Sequence, residues 1–346
     1  MTRLRDKGLA MYKQYQVVFL ILFTGGTMFA GDLTVEGDPR IVIRGEGLET
    51  LWEEGGFTEG AAAGPDGNMY FSDFAQPFDS GPARVMKFNT KTNSISVYCP
   101  DSGMGNGLMF TRDGRLLGCC ASPLEGHRAL VQFMEDGSVN ILADQYDGKK
   151  LNSPNDLVID RNGIVYFTDP KYVGPEECEL DSFDVYRFDH RGLSIATKEI
   201  DKPNGIIFAP DQKTIYVAET DNGSDKADIE TDFERGRMTL NSFRVNRRGE
   251  FYRKKVLVNF GDELGIDGMT VDQAGNIYAA VRSARRFGIV IFTPRGKEIA
   301  FIETPELPTN VSFGRGAESS RLYITAGSGF YRIRTKAIGY HPAVDH

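Results

Sequence analysis

One short segment recurs six times along this chain, and the recurrence limits the fold more than any other feature. EGAAAGPDGNMYFSD begins at Glu59, NGLMFTRDGRLLGCC at Asn106 and NDLVIDRNGIVYFTD at Asn155. NGIIFAPDQKTIYVAET begins at Asn204, DGMTVDQAGNIYAAV at Asp267 and NVSFGRGAESSRLYITAG at Asn310. Each unit opens on Glu, Asn or Asp, runs through an apolar strand, turns, and returns as a second strand. The starts lie 47, 49, 49, 63 and 43 residues apart. Tyr70, Leu117, Tyr166 and Tyr278 each follow the polar start by 11 residues, Tyr216 by 12 and Tyr323 by 13. Weaker strand pairs, such as ARVMKFNTKTNSISVY and DVYRFDHRGLSIAT, fill the intervals, so every unit offers four short antiparallel strands. A period near 45 with four strands per unit predicts an all-β six-bladed β-propeller, spanning about residues 45–335 of a single domain over 31–346.

That architecture dictates where the polar starts go. If the first strand of each unit is innermost, Glu59, Asn106, Asn155, Asn204, Asp267 and Asn310 ring one mouth of the central channel. The loops after the second strands open on the same face. They are the long ones: Phe74 to Pro82, Ser122 to Arg128, Lys171 to Asp181 and Asp221 to Arg237. Long loops on a rigid scaffold are where binding sites concentrate. In any one unit the Asn-Gly or Asp-Gly pair also reads simply as a turn former. Six units with the same offset from a hairpin favour a ring with a purpose.

The ring supplies only oxygen donors, two of them charged. Such a set suits a hard divalent cation, Ca²⁺ before Mg²⁺ or Mn²⁺, since calcium accepts amide carbonyls and waters. Zn²⁺ fits less well, because the four histidines form no ligand spacing. No GxSxG is present, which excludes a nucleophile-elbow serine hydrolase. GMGNG at residues 103–107 lacks the third spaced glycine of a dinucleotide loop and reads as the turn into the second unit.

The net charge of −8 argues against nucleic-acid and anionic-membrane partners and leaves a small molecule as the expected ligand. At the N-terminus, Arg3, Arg5, Lys7 and Lys13 precede the apolar run VVFLILF and a small-residue stretch. This is the layout of a secretory signal over residues 1–30, too short for a membrane span, and it predicts an exported, periplasmic or secreted protein. Cys119 and Cys120 fall on opposite faces of one strand and read as small hydrophobes. Cys99 is undetermined, and Cys178 in a polar loop is open to pairing.

The segments EG at Glu59, LNSPNDLVIDRNGIVYFTDP around Asn155, KPNGIIFAPD around Asn204 and GIDGMTVD around Asp267 resemble the SMP-30/gluconolactonase/luciferin-regenerating family over essentially the whole mature chain. The resemblance implies a six-bladed propeller with one catalytic divalent cation in the channel, commonly Ca²⁺, and hydrolysis of lactones such as gluconolactone. It makes Glu59, Asn155, Asn204 and Asp267 the metal set, Asn155 standing either on the metal or on substrate beside it. Asp267 is then also the catalytic carboxylate, acting as general base or nucleophile. Asn106, Asp169, Tyr172, His127 and Arg128 are candidates for the substrate wall. Ser153 stands where animal-type relatives carry arginine, and the second-unit loop ASPLEGHRAL departs too, so the resemblance does not carry over the identity of the substrate. Three other readings compete: the same site on another ester or an organophosphate, a metal-free strictosidine-synthase-like enzyme, and a non-catalytic binding propeller.

Overall fold

The computed structural model describes residues 33–74, 82–122, 126–172, 176–223 and 235–345. The leader read in residues 1–30 and the central parts of all four long loops lie outside them. Among the described residues no helix is long and apolar enough to cross a membrane.

Six antiparallel sheets, each with a four-stranded meander, make the six predicted blades. The innermost strands are Phe57–Ala63, Gly105–Phe110, Leu157–Ile159, Pro203–Phe208, Ile266–Asp272 and Pro308–Phe313. The sixth blade takes its outer strand from the other end of the chain: Glu49–Trp52 pairs antiparallel with Gly329–Arg334. Arg332 reinforces that closure with bonds of 2.7–3.0 Å to the Glu49 carboxylate. Such a closure leaves no first or last sheet edge in the ring.

Packing between blades uses the aromatic that the second strand carries in five of the six blades. Tyr70 meets Phe110 of the next blade edge-on with ring centroids 4.9 Å apart. Tyr166 meets Phe208 at 5.3 Å, Tyr278 meets Phe313 at 4.9 Å, and Tyr323 meets Phe88 of the first blade at 6.1 Å. Burying such a ring contributes about 2 kcal/mol, and the edge-on geometry adds about 1 kcal/mol. Cys119 joins the apolar cluster against the third blade and Cys120 the cluster against the first, as their alternation predicts. Cys99 is also buried, while Cys178 is exposed.

The far mouth of the channel carries a feature that the repeat pattern does not contain. Gly339–Tyr340 adds to the inner strand of the fifth blade, Tyr340 opposite Val271. Gln212, in the hairpin turn of the fourth blade, donates to Tyr340 Oη at 2.7 Å and to Pro342 O at 3.0 Å. His341 Nε2 lies 3.0 Å from Gly314 O of the sixth blade. Ala343 packs with Leu117, Leu157 and Ile159 of the second and third blades. A cavity above residues 341–344 is walled by Ala61–Ala63 and Leu108–Phe110. All these contacts fall at the hairpin-turn ends of the inner strands. Among the described residues the C-terminal segment therefore covers the end of the channel opposite the polar ring.

Candidate functional site

The polar residues reach the channel through a shared backbone device. The inner strands slip register at Glu59/Ala62, Gly105/Leu108, Pro203/Ile206, Ile266/Met269 and Pro308/Asn310, in each case at or beside the polar residue. A bulge turns a side chain out of the sheet alternation and aims it elsewhere, here at the axis. In the third blade the strand begins only at Leu157, so Asn155 precedes the ladder.

Glycine after the polar residue lets the strands converge. A Cβ on Gly205 would stand 2.4 Å from Asp267 O, and one on Gly268 would stand 2.3 Å from Asn310 Cγ. Gly60 and Gly107 fit against Asn106 and Asp156 in the same way. Four blades thus seat this glycine on the polar segment of the next blade. Thr309 completes the circuit from the sixth blade to the first, donating to Thr58 O at 2.7 Å.

Glu59, Asn204 and Asp267 are buried together from three different blades. Burial, followed by the charge of Asp267, drives the Glu59 carboxyl well above the usual carboxylate range; Arg282 opposes that rise. Burial also raises Asp267, against the pull of Arg282 and of a hydrogen bond from Asn204. Arg282 Nη1 lies 2.5 Å from Asp267 Oδ2. Among the described residues Asn204 Oδ1 is buried with no hydrogen-bond partner. Asn155 is half-buried and pinned by its backbone: its N–H donates to Thr168 O at 2.9 Å, and its carbonyl accepts from Gly107 N–H at 2.8 Å.

Other expected site residues are used differently. Asn106 is buried in the ring, and its carbonyl accepts from Ser72 Oγ at 2.7 Å. Asn310 spends its side-chain oxygen on Val311 N–H at 2.8 Å. Asp169, expected on the substrate wall, is fully buried. Its carboxylate accepts Asn152 N–H at 2.9 Å and Ser153 N–H at 2.8 Å. Burial pushes it up to about 7, with those N–H donors pulling it down. It therefore holds the turn that delivers Asn155. The same device recurs where Asp73 accepts Gly56 N–H at 2.7 Å and Glu219 accepts Asp201 N–H at 2.9 Å. The closing acid of YFSD, YFTD and VAE was the signal for it.

Arg128, also expected on the wall, donates to Leu151 O at 2.7 Å and Asn152 O at 3.1 Å, bracing the same turn from the second blade. His127 is partly exposed, its N–H on Gly103 O at 3.0 Å and its ring packed over Gly103. Tyr172 places its ring 4.9 Å from the buried Lys202 Nζ, which also bonds Asn222 Oδ1 at 3.2 Å.

Two further charged residues belong to the cluster, Asp156, which the sequence leaves between turn-making and support of the site, and Arg282, which it does not single out. Asp156 stands where four of the other units carry glycine, and its carboxylate accepts Leu157 N–H at 2.9 Å and Ile206 N–H at 3.4 Å. Burial pushes it up to about 7, those N–H donors oppose the rise, and the charge of Asp267 adds to it. Arg282 follows the second strand of the fifth blade, where the loops of the other blades begin. Only its place after AAV, at the mouth end of the hairpin, could have marked it.

Comparisons with known proteins agree with this architecture. The chain is 28% identical over 288 residues to a gluconolactonase of Zymomonas mobilis, covering 76% of this chain and 75% of that protein. It superimposes on the structure of a gluconolactonase from Xanthomonas campestris with a TM-score of 0.73 at 26% identity, covering 91% of this chain and 99% of the other. A regucalcin from Agrobacterium tumefaciens shares the fold, with a TM-score of 0.66 at 18% identity over 87% of this chain and 98% of that one. The profile of the SMP-30/gluconolactonase/LRE-like region matches residues 120–328. The chain belongs to the SMP-30/gluconolactonase/LRE-like family.

Proposed function

We propose that this protein is a divalent-cation-dependent lactonase, opening a cyclic ester to a hydroxy acid at the polar mouth of the channel. One observation carries the reading. Two buried carboxylates, Glu59 and Asp267, flank Asn204, whose buried Oδ1 has no partner among the described residues. Two buried carboxylates held by one guanidinium, on Asp267, are costly, and an unpaired amide oxygen beside them adds to the cost. A dication held by Glu59, Asp267, Asn204 and Asn155 removes all of these costs at once. Among the described residues no three of His, Cys, Asp and Glu form a metal cluster. A cation here therefore depends on amide oxygens, which favours Ca²⁺ over zinc. The Agrobacterium regucalcin of the same fold is a calcium-binding protein.

Bound at that set, the cation supplies Lewis-acid polarisation of the lactone carbonyl. Asn106 and Asn155 orient the substrate through their amides. Asp267 either takes a proton from the attacking water or attacks the acyl carbon itself. As general base, Asp267 leaves water's oxygen on the acyl carbon; as nucleophile, it forms an anhydride with the acyl group, which water hydrolyses at the Asp267 carbonyl. In both cases the ring C–O bond breaks and the departing alkoxide is protonated. A single turnover in ¹⁸O-water separates the two: the base route labels the product acid, and the nucleophile route labels the Asp267 carboxylate.

The gluconolactonase relatives make aldonolactones the first substrates to assay. The chelator-stripped protein should lose ring-opening activity and recover it with Ca²⁺. Full activity without metal would sink the mechanism, and turnover confined to aryl esters or organophosphates would reassign the substrate. The leader in residues 1–30 supports an exported enzyme, which a secreted-reporter fusion tests.

A further inference from the structure

Arg282 reaches across the mouth of the site. Its backbone N–H is fixed on Gly265 O at 3.0 Å in the fifth blade, and its guanidinium carbon lies 5.9 Å from the ring centroid of Phe57 in the first. The side chain thus reaches from the fifth blade toward the first, alongside Asp267. It is 14% exposed against 10% for that of Asp267, so the two charges sit at similar depth. Its Nη1 occupies one oxygen of Asp267, Oδ2, at 2.5 Å. A guanidinium and a dication on one carboxylate repel each other, and the low dielectric of a buried site strengthens that repulsion.

We propose that Arg282 is a positioning residue that serves as an internal counter-ion: it fixes the Asp267 carboxylate by holding Oδ2, keeps that oxygen away from the cation, and competes with the cation for Asp267. This rests on the cation site proposed above. The division leaves Asp267 one oxygen for the metal and keeps the other at the mouth, where substrate arrives. Without Arg282, Asp267 is free to turn both oxygens onto the cation. Cation binding then tightens while the reacting oxygen is withdrawn, so affinity and turnover move in opposite directions. A residue that merely supports the fold would lower both together.

The test compares wild type, Arg282→Gln and Arg282→Lys, each checked by thermal melting. Ca²⁺ affinity is measured by isothermal titration, and kcat and KM on gluconolactone. Arg282→Gln should bind Ca²⁺ about tenfold or more tightly and lose about tenfold or more in kcat, with KM little changed. Arg282→Lys keeps the charge and should fall between, which preserves the test if the glutamine variant does not fold. Unchanged or weaker Ca²⁺ binding in a folded variant overturns the assignment and leaves the cation site standing. Absence of any Ca²⁺ binding to the wild type overturns both.

Discussion

Replacing Gly205 by alanine adds one methyl group at the tightest point of the polar ring. The new Cβ would stand 2.4 Å from Asp267 O and 3.0 Å from the Cα of Gly268, whereas ordinary contacts begin near 3.4 Å. Both obstructing atoms are backbone, so no side-chain rotation relieves the clash. Gly205 has no left-handed φ, and the effect is therefore steric. The inner strands of the fourth and fifth blades must separate by about 1 Å, and they carry Asn204 and Asp267. Overpacking of this kind costs about 1–3 kcal/mol of stability. A displacement of about 1 Å between reacting groups costs on the order of 100-fold in rate. Urea denaturation, Ca²⁺ titration and kcat/KM on gluconolactone should show all three effects. Gly47→Ala is the control, since nothing lies within 4 Å of a Cβ there and it should behave as wild type. A Gly205→Ala protein with wild-type affinity and kcat/KM would refute the claim that close packing of the inner strands sets the geometry of the site.

Three further outcomes are expected. Asp267→Asn should abolish turnover, by about 1,000-fold or more, and weaken Ca²⁺ binding, because it removes one of two carboxylates and the acid–base group together; a non-catalytic binding propeller would keep its ligand. Asp169, raised by burial to about 7 from the ordinary 3.8, binds its proton more tightly folded than unfolded, so its contribution to stability is full below about pH 4 and lost as pH rises to about 7. The pH dependence of unfolding free energy in Asp169→Asn should therefore be flatter than in wild type by up to about 1.4 kcal/mol per pH unit over that window, and parallel curves would contradict it. Tyr340→Ala, at the closed mouth, should cost about 3 kcal/mol in urea denaturation while kcat stays near wild type, since the ring is remote from the polar end.

The amino-acid sequence by itself determined the blade number, the order of strands within each blade and the six polar positions. Those properties are periodic and local: a hairpin, its turn and its aromatic are set by residues within about fifteen of one another. Glu59, Asn204 and Asp267 were legible because their type and offset repeat. The tertiary structure alone decided which ring side chains are spent on backbone and which are left for the proposed cation. Asn155 and Asn310 look alike in sequence, yet Asn310 Oδ1 is taken by Val311 N–H. Asp169 and Arg128 read as pocket walls because they border long loops, and only burial and hydrogen bonding show them bracing the turn before Asn155. The contribution of Arg282 and the closure of the far mouth by residues 339–344 likewise depend on contacts between blades. Such contacts join residues remote in the chain, and the recurring glycine marks where the strands converge without fixing how far apart they stand. What a repeat specifies is the blade; what the site requires is the distance between blades.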